Sequence, residues 1–257
     1  MSQLINYKTV QIVDPDPAGE GGLALNSNFK ALVDTKASRP NTKRLTYLTY
    51  GQVYDSYSAT MTPTLLGVGD TPAAAGTVAL VAPDATEGAT ISYSTSATTN
   101  AAAGVYGGTL YRTGRNVLFQ AYAKLNATAS QRVFVGLTTN TYSVMVGADN
   151  PAGHYAGFQY STARGDANWK CVTKDGTTQG TPIDSAIAVD TAGRRFEVEL
   201  DDVAAKVYFR IDGTPVGTAT ANLPAAGQNL RFACAVATLQ AVAKVARVGW
   251  VYLESDK

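Results

Sequence analysis

The chain of 257 residues has one histidine, His154, and two cysteines, Cys171 and Cys234. A single histidine excludes any multi-histidine metal site and argues against a histidine-based proton relay. Two cysteines about sixty residues apart form neither a disulfide framework nor a zinc motif. Each lies in an extended run, Trp169-Lys170-Cys171-Val172 and Phe232-Ala233-Cys234-Ala235, so both are read as buried small hydrophobes. Charge is scarce as well: 16% of residues are charged, against about 25% in an average soluble domain. Lys plus Arg number 21 and Asp plus Glu 20, a net charge of +1. That balance lacks the basic footprint of a nucleic-acid binder and offers no cluster to hold an anionic membrane. No run approaches the roughly 18 apolar residues of a membrane span. The start, Met1-Ser2-Gln3-Leu4-Ile5-Asn6-Tyr7-Lys8, lacks the charged and apolar regions of a signal peptide. No GxGxxG follows a strand, and neither GxxxxGK[ST] nor a Gly-x-Ser-x-Gly elbow occurs, so no nucleotide cofactor and no serine hydrolase is expected.

Three regions differ in texture. In the first, residues 1 to 44, Val10-Gln11-Ile12-Val13 reads as extended and is stopped by Asp14-Pro15-Asp16-Pro17, because each proline biases its predecessor away from helix. Leu25, Phe29, Leu32 and Val33 then recur at i, i+4, i+7 and i+8, which predicts one amphipathic helix over about 24–37. Such a stripe cannot bury itself, so it is expected to pack on another element or on copies of itself. The second region, from 45 to about 112, is rich in Thr, Ser, Ala and Gly; residues 45–74 read as a linker with β character, and 76–81 and 89–93 as strands. From there to 257 the pattern is β throughout. Val117, Phe119, Ala121, Ala123 and Leu125 alternate along one face. Runs at 132–137, 155–161, 169–173, 195–200, 206–211, 230–237 and 245–253 come at short intervals, and Asp212-Gly213 is the strongest hairpin signal. The expected fold is mainly β: an antiparallel β-sandwich over 75–257, preceded by an extended arm and one short helix.

Few residues carry chemistry. Glu197 and Glu199 sit at i and i+2 on one strand face. Paired carboxylates are what glycosidic hydrolysis requires, and β-sandwich glucanases carry acids at that spacing. A simpler reading pairs Asp201 with Lys206, which sets Glu197 opposite Arg210 and Arg195 opposite Asp212, as ordinary cross-strand ion pairs. Asp14, Asp16 and Glu20 lack the twelfth-position acid of a calcium loop, so no metal is expected. Trp169, following Asp166 and Asn168, has the chemistry of a sugar-binding surface, an aromatic ring beside hydroxyl-bonding groups. His154 and Tyr155 are further candidates for glycan contact.

The order Arg115-Asn116-Val117-Leu118-Phe119-Gln120-Ala121, Phe134-Val135-Gly136-Leu137, Gly157-Phe158-Gln159-Tyr160, Asn168-Trp169, Phe196-Glu197-Val198, Val207-Tyr208-Phe209-Arg210-Ile211-Asp212-Gly213 and Val248-Gly249-Trp250-Val251-Tyr252 resembles the concanavalin A-like (laminin-G-like) sandwich of bacteriophage tail and virion proteins. The segment from Asp14 to Leu32 is similar to those that open phage fibre proteins. The resemblance implies a jelly-roll sandwich in a virion structural protein of tail-fibre or receptor-binding type. It implies no catalysis, no cofactor, attachment to other virion proteins through residues 1–44, self-association as a homotrimer, and presentation of the sandwich to host surface glycans. A capsid decoration or head-fibre protein, a free carbohydrate-binding module and a glycan hydrolase stand as alternatives.

Overall fold

The structure is a computed structural model, and it describes residues 43–49, 69–70, 76–82, 88, 90–107 and 111–256. The predicted helix over 24–37, with Leu25, Phe29, Leu32 and Val33, lies outside the described residues. All described residues but Lys43 belong to one compact unit, Arg44–Lys257.

The described residues hold sixteen strands: β1 Lys43–Thr49, β2 Gly69–Asp70, β3 Thr77–Val81, β4 Thr90–Ser94, β5 Ala102–Tyr106, β6 Tyr111–Arg112, β7 Leu118–Leu125, β8 Gln131–Thr138, β9 Gly153–Ser161, β10 Asn168–Gly176, β11 Ile183–Ala188, β12 Arg194–Asp201, β13 Lys206–Ile211, β14 Thr214–Ala219, β15 Asn229–Thr238 and β16 Val245–Asp256. They form two sheets. Sheet A runs β14-β13-β12-β7-β16-β4-β3, with β1 also on β16; sheet B runs β11-β10-β9-β8-β15-β5-β2, with β6 also on β15. The strands pair antiparallel, as β12 does with β13 and β9 with β10. This is the expected antiparallel β-sandwich of jelly-roll type.

The alternation on β7 places Phe119, Ala121, Ala123 and Leu125 in the core between the sheets. Phe196, Val198 and Leu200 on β12, and Val207, Phe209 and Ile211 on β13, meet them. Phe158 from sheet B packs against Phe196 and Phe209 at ring-centroid distances of 5.1 and 5.5 Å. Each such ring contributes apolar burial plus an edge-to-face preference, so core truncations are costly. Both cysteines are free and buried, in agreement with the sequence. Burial, helped by the nearby Asp184 carboxylate, pushes the Cys171 thiol up to about 12; burial alone raises that of Cys234.

The β12–β13 hairpin has the register the charges require. Asp201 pairs with Lys206 and Glu197 with Arg210, and one step further Asp212 N–H donates to the Arg195 carbonyl at 2.8 Å. Asp212 and Gly213 both have positive φ, 52° and 82°, the two left-handed positions of a type I′ turn.

One element departs from the sequence reading, which placed no helix within the sandwich. Residues 139–152 form a strap across the outer face of sheet B, with a single helical turn, α1 Tyr142–Met145. The strap is there because that face is apolar. Phe134, Tyr155, Val172, Ala233, Ala235 and Ala237 would otherwise meet water, and Tyr142, Met145 and Val146 close over them as a second small core. Polar clamps fix the strap. Arg132 Nε donates to Asp149 Oδ1 at 2.6 Å and its Nη1 to the Val146 carbonyl at 3.0 Å. Lys174 Nζ donates to Asn150 Oδ1 and to the Pro151 carbonyl at 2.7 and 2.9 Å. Against the opposing effect of burial, the Ser161 hydroxyl and the Arg132 guanidinium hold the Asp149 carboxyl below its ordinary range. Among the described residues no helix is long and apolar enough to cross a membrane.

Candidate functional site

The residues nominated for glycan contact do not assemble into one surface. Trp169 is 3% exposed and belongs to the core, its ring 4.7 Å from that of Phe196. A ring enclosed between two sheets offers no face to a sugar, so its assignment to glycan contact is corrected. Trp169 shares strand phase with Cys171, and that phase points inward. Tyr155 is fully buried beneath the strap and is corrected for the same reason. Asp166 serves its own turn: it accepts the Ser161 N–H at 2.9 Å and pairs with Arg164 at 2.6 Å, with a side chain 3% exposed. Asn168 Nδ2 donates to Asp184 Oδ1 at 2.9 Å on the sheet edge. His154 lies on β9 opposite Asp175, beside the other end of β10, where Gly176 makes room for its ring and its Nδ1 accepts the Ala225 N–H at 3.3 Å. Among the described residues no group of His, Cys, Asp and Glu is placed to hold a metal ion.

Sheet B is closed by its strap; the outer face of sheet A is half-buried on β7, β12 and β13 and buried at Tyr252 and Glu254 of β16. Where β7 turns Phe119, Ala121 and Ala123 inward, it turns Leu118, Gln120, Tyr122 and Lys124 outward, each half-buried. Outward from β12 come Glu197 and Glu199, and from β13 Tyr208 and Arg210. The pairing aligns them in rows: Arg210, Glu197, Gln120 and Tyr252 in one, and Tyr208, Glu199, Leu118 and Glu254 in the next.

Glu197 is the hub of the first row. It accepts hydrogen bonds from Gln120 Nε2 and Arg210 Nη1. The same Nη1 donates to Glu199 Oε2 at 2.9 Å. The two carboxylates, Glu199 first and Glu197 after it, hold the Arg210 guanidinium more firmly in its charged form, against the cost of its burial. A glycosidic bond cleaved by such a pair must lie between the two carboxyl groups, one protonating its oxygen and the other acting at the anomeric carbon. Here a guanidinium nitrogen occupies that space.

The third row carries an aromatic pair. A bulge between Val248 and Trp250 shifts the register of β16, so that Val248 faces Ala123 and Trp250 faces Tyr122. A bulge adds one residue and re-aims the side chains beyond it, and this one delivers Trp250 to the outer face, half-buried. The extra residue is Gly249. A Cβ built there would lie 2.9 Å from Cδ1 of Tyr122, and one built on Gly193 would lie 1.7 Å from the Tyr122 hydroxyl and 2.3 Å from Cζ. The Tyr122 ring therefore lies along the sheet, over one glycine and against another. Tyr122 and Trp250 therefore stand opposite each other on this face, with the Cβ separation of a cross-strand pair, about 4.5–5.5 Å. Residue-by-residue nomination from the sequence missed both aromatics. For Tyr122 the signal was available, since it lies in the phase opposite to Phe119 and Ala121.

No family model matches this chain, and no curated protein matches its sequence. Solved structures do match in fold. A protein of unknown function from Shewanella oneidensis MR-1 aligns with a TM-score of 0.57 at 12% identity, over 92% of this chain and 96% of that one. The Bacillus licheniformis β-glucanase aligns at 0.53 and 10%, over 83% and 98%. The carbohydrate recognition domain of Emp47p aligns at 0.51 and 9%, over 74% and 89%. At these identities the likeness defines the fold, a concanavalin A-like jelly roll, and that fold houses both an enzyme and a recognition domain.

Proposed function

We propose that this chain is a carbohydrate-binding jelly-roll module that holds its ligand on the outer face of sheet A without cleaving it. The observation that carries the reading is the cross-strand aromatic pair Tyr122 and Trp250, read as a floor for a sugar ring, beside the Gln120–Glu197–Arg210–Glu199 network. Sugar recognition needs a flat apolar surface for the ring face and fixed planar polar groups for the hydroxyls. Both are present two residues apart on β7. The glucanase and the recognition domain named above support the reading by analogy of fold. Arg210 between the two glutamates supports binding over hydrolysis. The test is a glycan array probed with the full chain and with Tyr122→Ala. Array hits lost in the variant support the proposal; hits retained at full strength place the site elsewhere.

The resemblance to phage virion proteins carries a finer reading: the module is displayed on a virion, of tail-fibre or receptor-binding type, and residues 1–44 fasten it there and hold it as a homotrimer. Light scattering on the full chain and on a version starting at residue 45 tests this. A trimer that falls to monomer on truncation supports it. An unchanged mass removes the anchoring role from residues 1–44.

A further inference from the structure

The apolar cover on sheet B stops short of one end of β15. Arg231 and Asn229 share the outward phase of the buried Ala233 and Ala235, but Arg231 is half-buried and Asn229 exposed. Arg112 of β6, itself exposed, stands opposite Asn229, and Tyr106 of β5 stands opposite Ala233. Arg112 and Tyr106 therefore flank Arg231 on its two diagonals, at about 7–8 Å, within reach of long side chains. Two arginines thus share one end of this face.

Neither has a counter-charge. Among the described residues Arg112 and Arg231 make no ion pair, whereas Arg132, Arg164, Arg194 and Arg210 are each bound by an acid. Strands β5, β6, β8 and β15, residues 107–110, residues 139–148 of the strap and residues 220–228 contain no Asp or Glu. Asp70 of β2 stands opposite Val105, out of phase with Tyr106. Arg231 is nonetheless fixed in place. Its guanidinium lies over the Tyr106 ring, 5.2 Å from the centroid, and that ring meets Tyr142 at 5.9 Å. Its Nε is buried without a hydrogen-bond partner. A cation held partly out of water with no opposite charge is costly to the fold. The Arg112 guanidinium is seated as closely. A Cβ built on Gly227 would lie 3.3 Å from its Nη2, so a glycine leaves it room.

We propose that Arg112 and Arg231 form a binding site for a phosphate or sulfate group. It lies on the opposite face of the sandwich from the sugar surface proposed above and is independent of it. A guanidinium presents a planar fork of N–H donors to an oxyanion. One fork satisfies a carboxylate, which has two oxygens. Two forks from neighbouring strands suit a tetrahedral group, whose oxygens point to both. Asn229, opposite Arg112, adds an amide. The Tyr106 ring holds the Arg231 fork before the ligand arrives, so less freedom is lost on binding.

The experiment is isothermal titration calorimetry of the full chain with inorganic sulfate, inorganic phosphate and acetate, at constant ionic strength set with chloride. Sulfate or phosphate is expected to bind saturably and at least about tenfold more tightly than acetate. The tighter of the two identifies the group the site prefers. Arg231→Gln and Arg112→Gln should each weaken that binding about tenfold or more, the loss of one charge-assisted contact. Arg115→Gln, which removes the same charge just before β7, should leave it unchanged. Circular dichroism melts confirm that each variant is folded, and Arg112, being exposed, can be replaced without disturbing the core. Equal affinity for acetate overturns the tetrahedral site. An equal loss in Arg115→Gln overturns it in favour of unspecific charge attraction. Absence of saturable binding of both sulfate and phosphate overturns it outright. None of these results touches the carbohydrate reading.

Discussion

Replacing Arg210 by methionine tests how the outer face of sheet A is held together. Arg210 is the partner that Glu197 and Glu199 share. The three side chains differ in exposure: 31% for Arg210, 12% for Glu197 and 42% for Glu199. Without the guanidinium, Glu199 rehydrates at little cost. Glu197 cannot, and it keeps only the Gln120 amide. The loss is one charge-assisted hydrogen bond and a partly desolvated carboxylate, about 2 kcal/mol. This lies below the roughly 3–5 kcal/mol of a fully buried pair, because water reaches all three groups. For a unit of this size that corresponds to a fall in Tm of about 4–8 °C. The assay is differential scanning calorimetry of Arg210→Met, Glu197→Gln and the double variant. Because the amide carries no charge to strand, the double variant should melt above Arg210→Met alone, giving a positive coupling in the cycle. A fall of less than about 1 °C with no coupling would mean that the network is a surface ornament and that Glu197 is not its hub.

The core, the thiols, the strap and the aromatic floor each have an expected response of their own. Phe209→Ala vacates a fully buried site facing Phe158 and should cost about 3–5 kcal/mol in urea denaturation. Cys171 and Cys234 should resist a thiol reagent in the native state and both react after unfolding. Because their folded pKa values are raised, the native state holds its protons while the unfolded chain releases them. Stability should therefore fall as pH climbs above about 8.5, the unfolded thiol value. The strap has the opposite sign. The lowered pKa of Asp149 stabilises it above the unfolded carboxylate value, and that contribution is lost as pH falls below about 4. Hydrogen exchange over residues 139–152 should quicken there, and at neutral pH in Asp149→Asn, with the β12–β13 hairpin unchanged. Gly193→Ala should move the Tyr122 hydroxyl from 1.7 Å to the 3.4 Å at which ordinary contact begins. It should weaken glycan binding about tenfold while costing little stability, since the displaced atom is the end of a side chain.

Sheet A was largely legible in the sequence because on β7, β12 and β13 core residues alternate with half-buried ones on the outer face. The alternation on β7 and the charges on β12 and β13 set both phase and register, and Asp212-Gly213 supplied the turn. Sheet B was harder to read. Its strands β8 and β15 are covered on both sides, so Val133-Phe134-Val135 and Phe232-Ala233-Cys234-Ala235 run apolar without alternating. That continuity implied a second cover, but nothing local marks Tyr142, Met145 and Val146 as the cover, since four residues show no helical period. Trp169 misled because its neighbours Asp166 and Asn168 are polar for reasons of their own, a turn lock and an edge bond. Its phase relative to Cys171 was the better guide. The site was half legible. Tyr122 is deducible from phase, whereas Trp250 depends on a bulge at Gly249 that no pattern of period two can reveal.

The chain has two tryptophans, one enclosed and one on the proposed floor, which permits a direct measurement. The Trp169 indole N–H is buried without a hydrogen-bond partner, so Trp169→Phe forfeits vacated volume only, about 1–2 kcal/mol, and leaves Trp250 as the sole reporter. Acrylamide quenching of that fluorescence should be efficient in the free protein and fall when a glycan identified on the array is added. Quenching that stays constant while calorimetry records glycan binding would contradict the assignment of the outer face of sheet A as the binding surface.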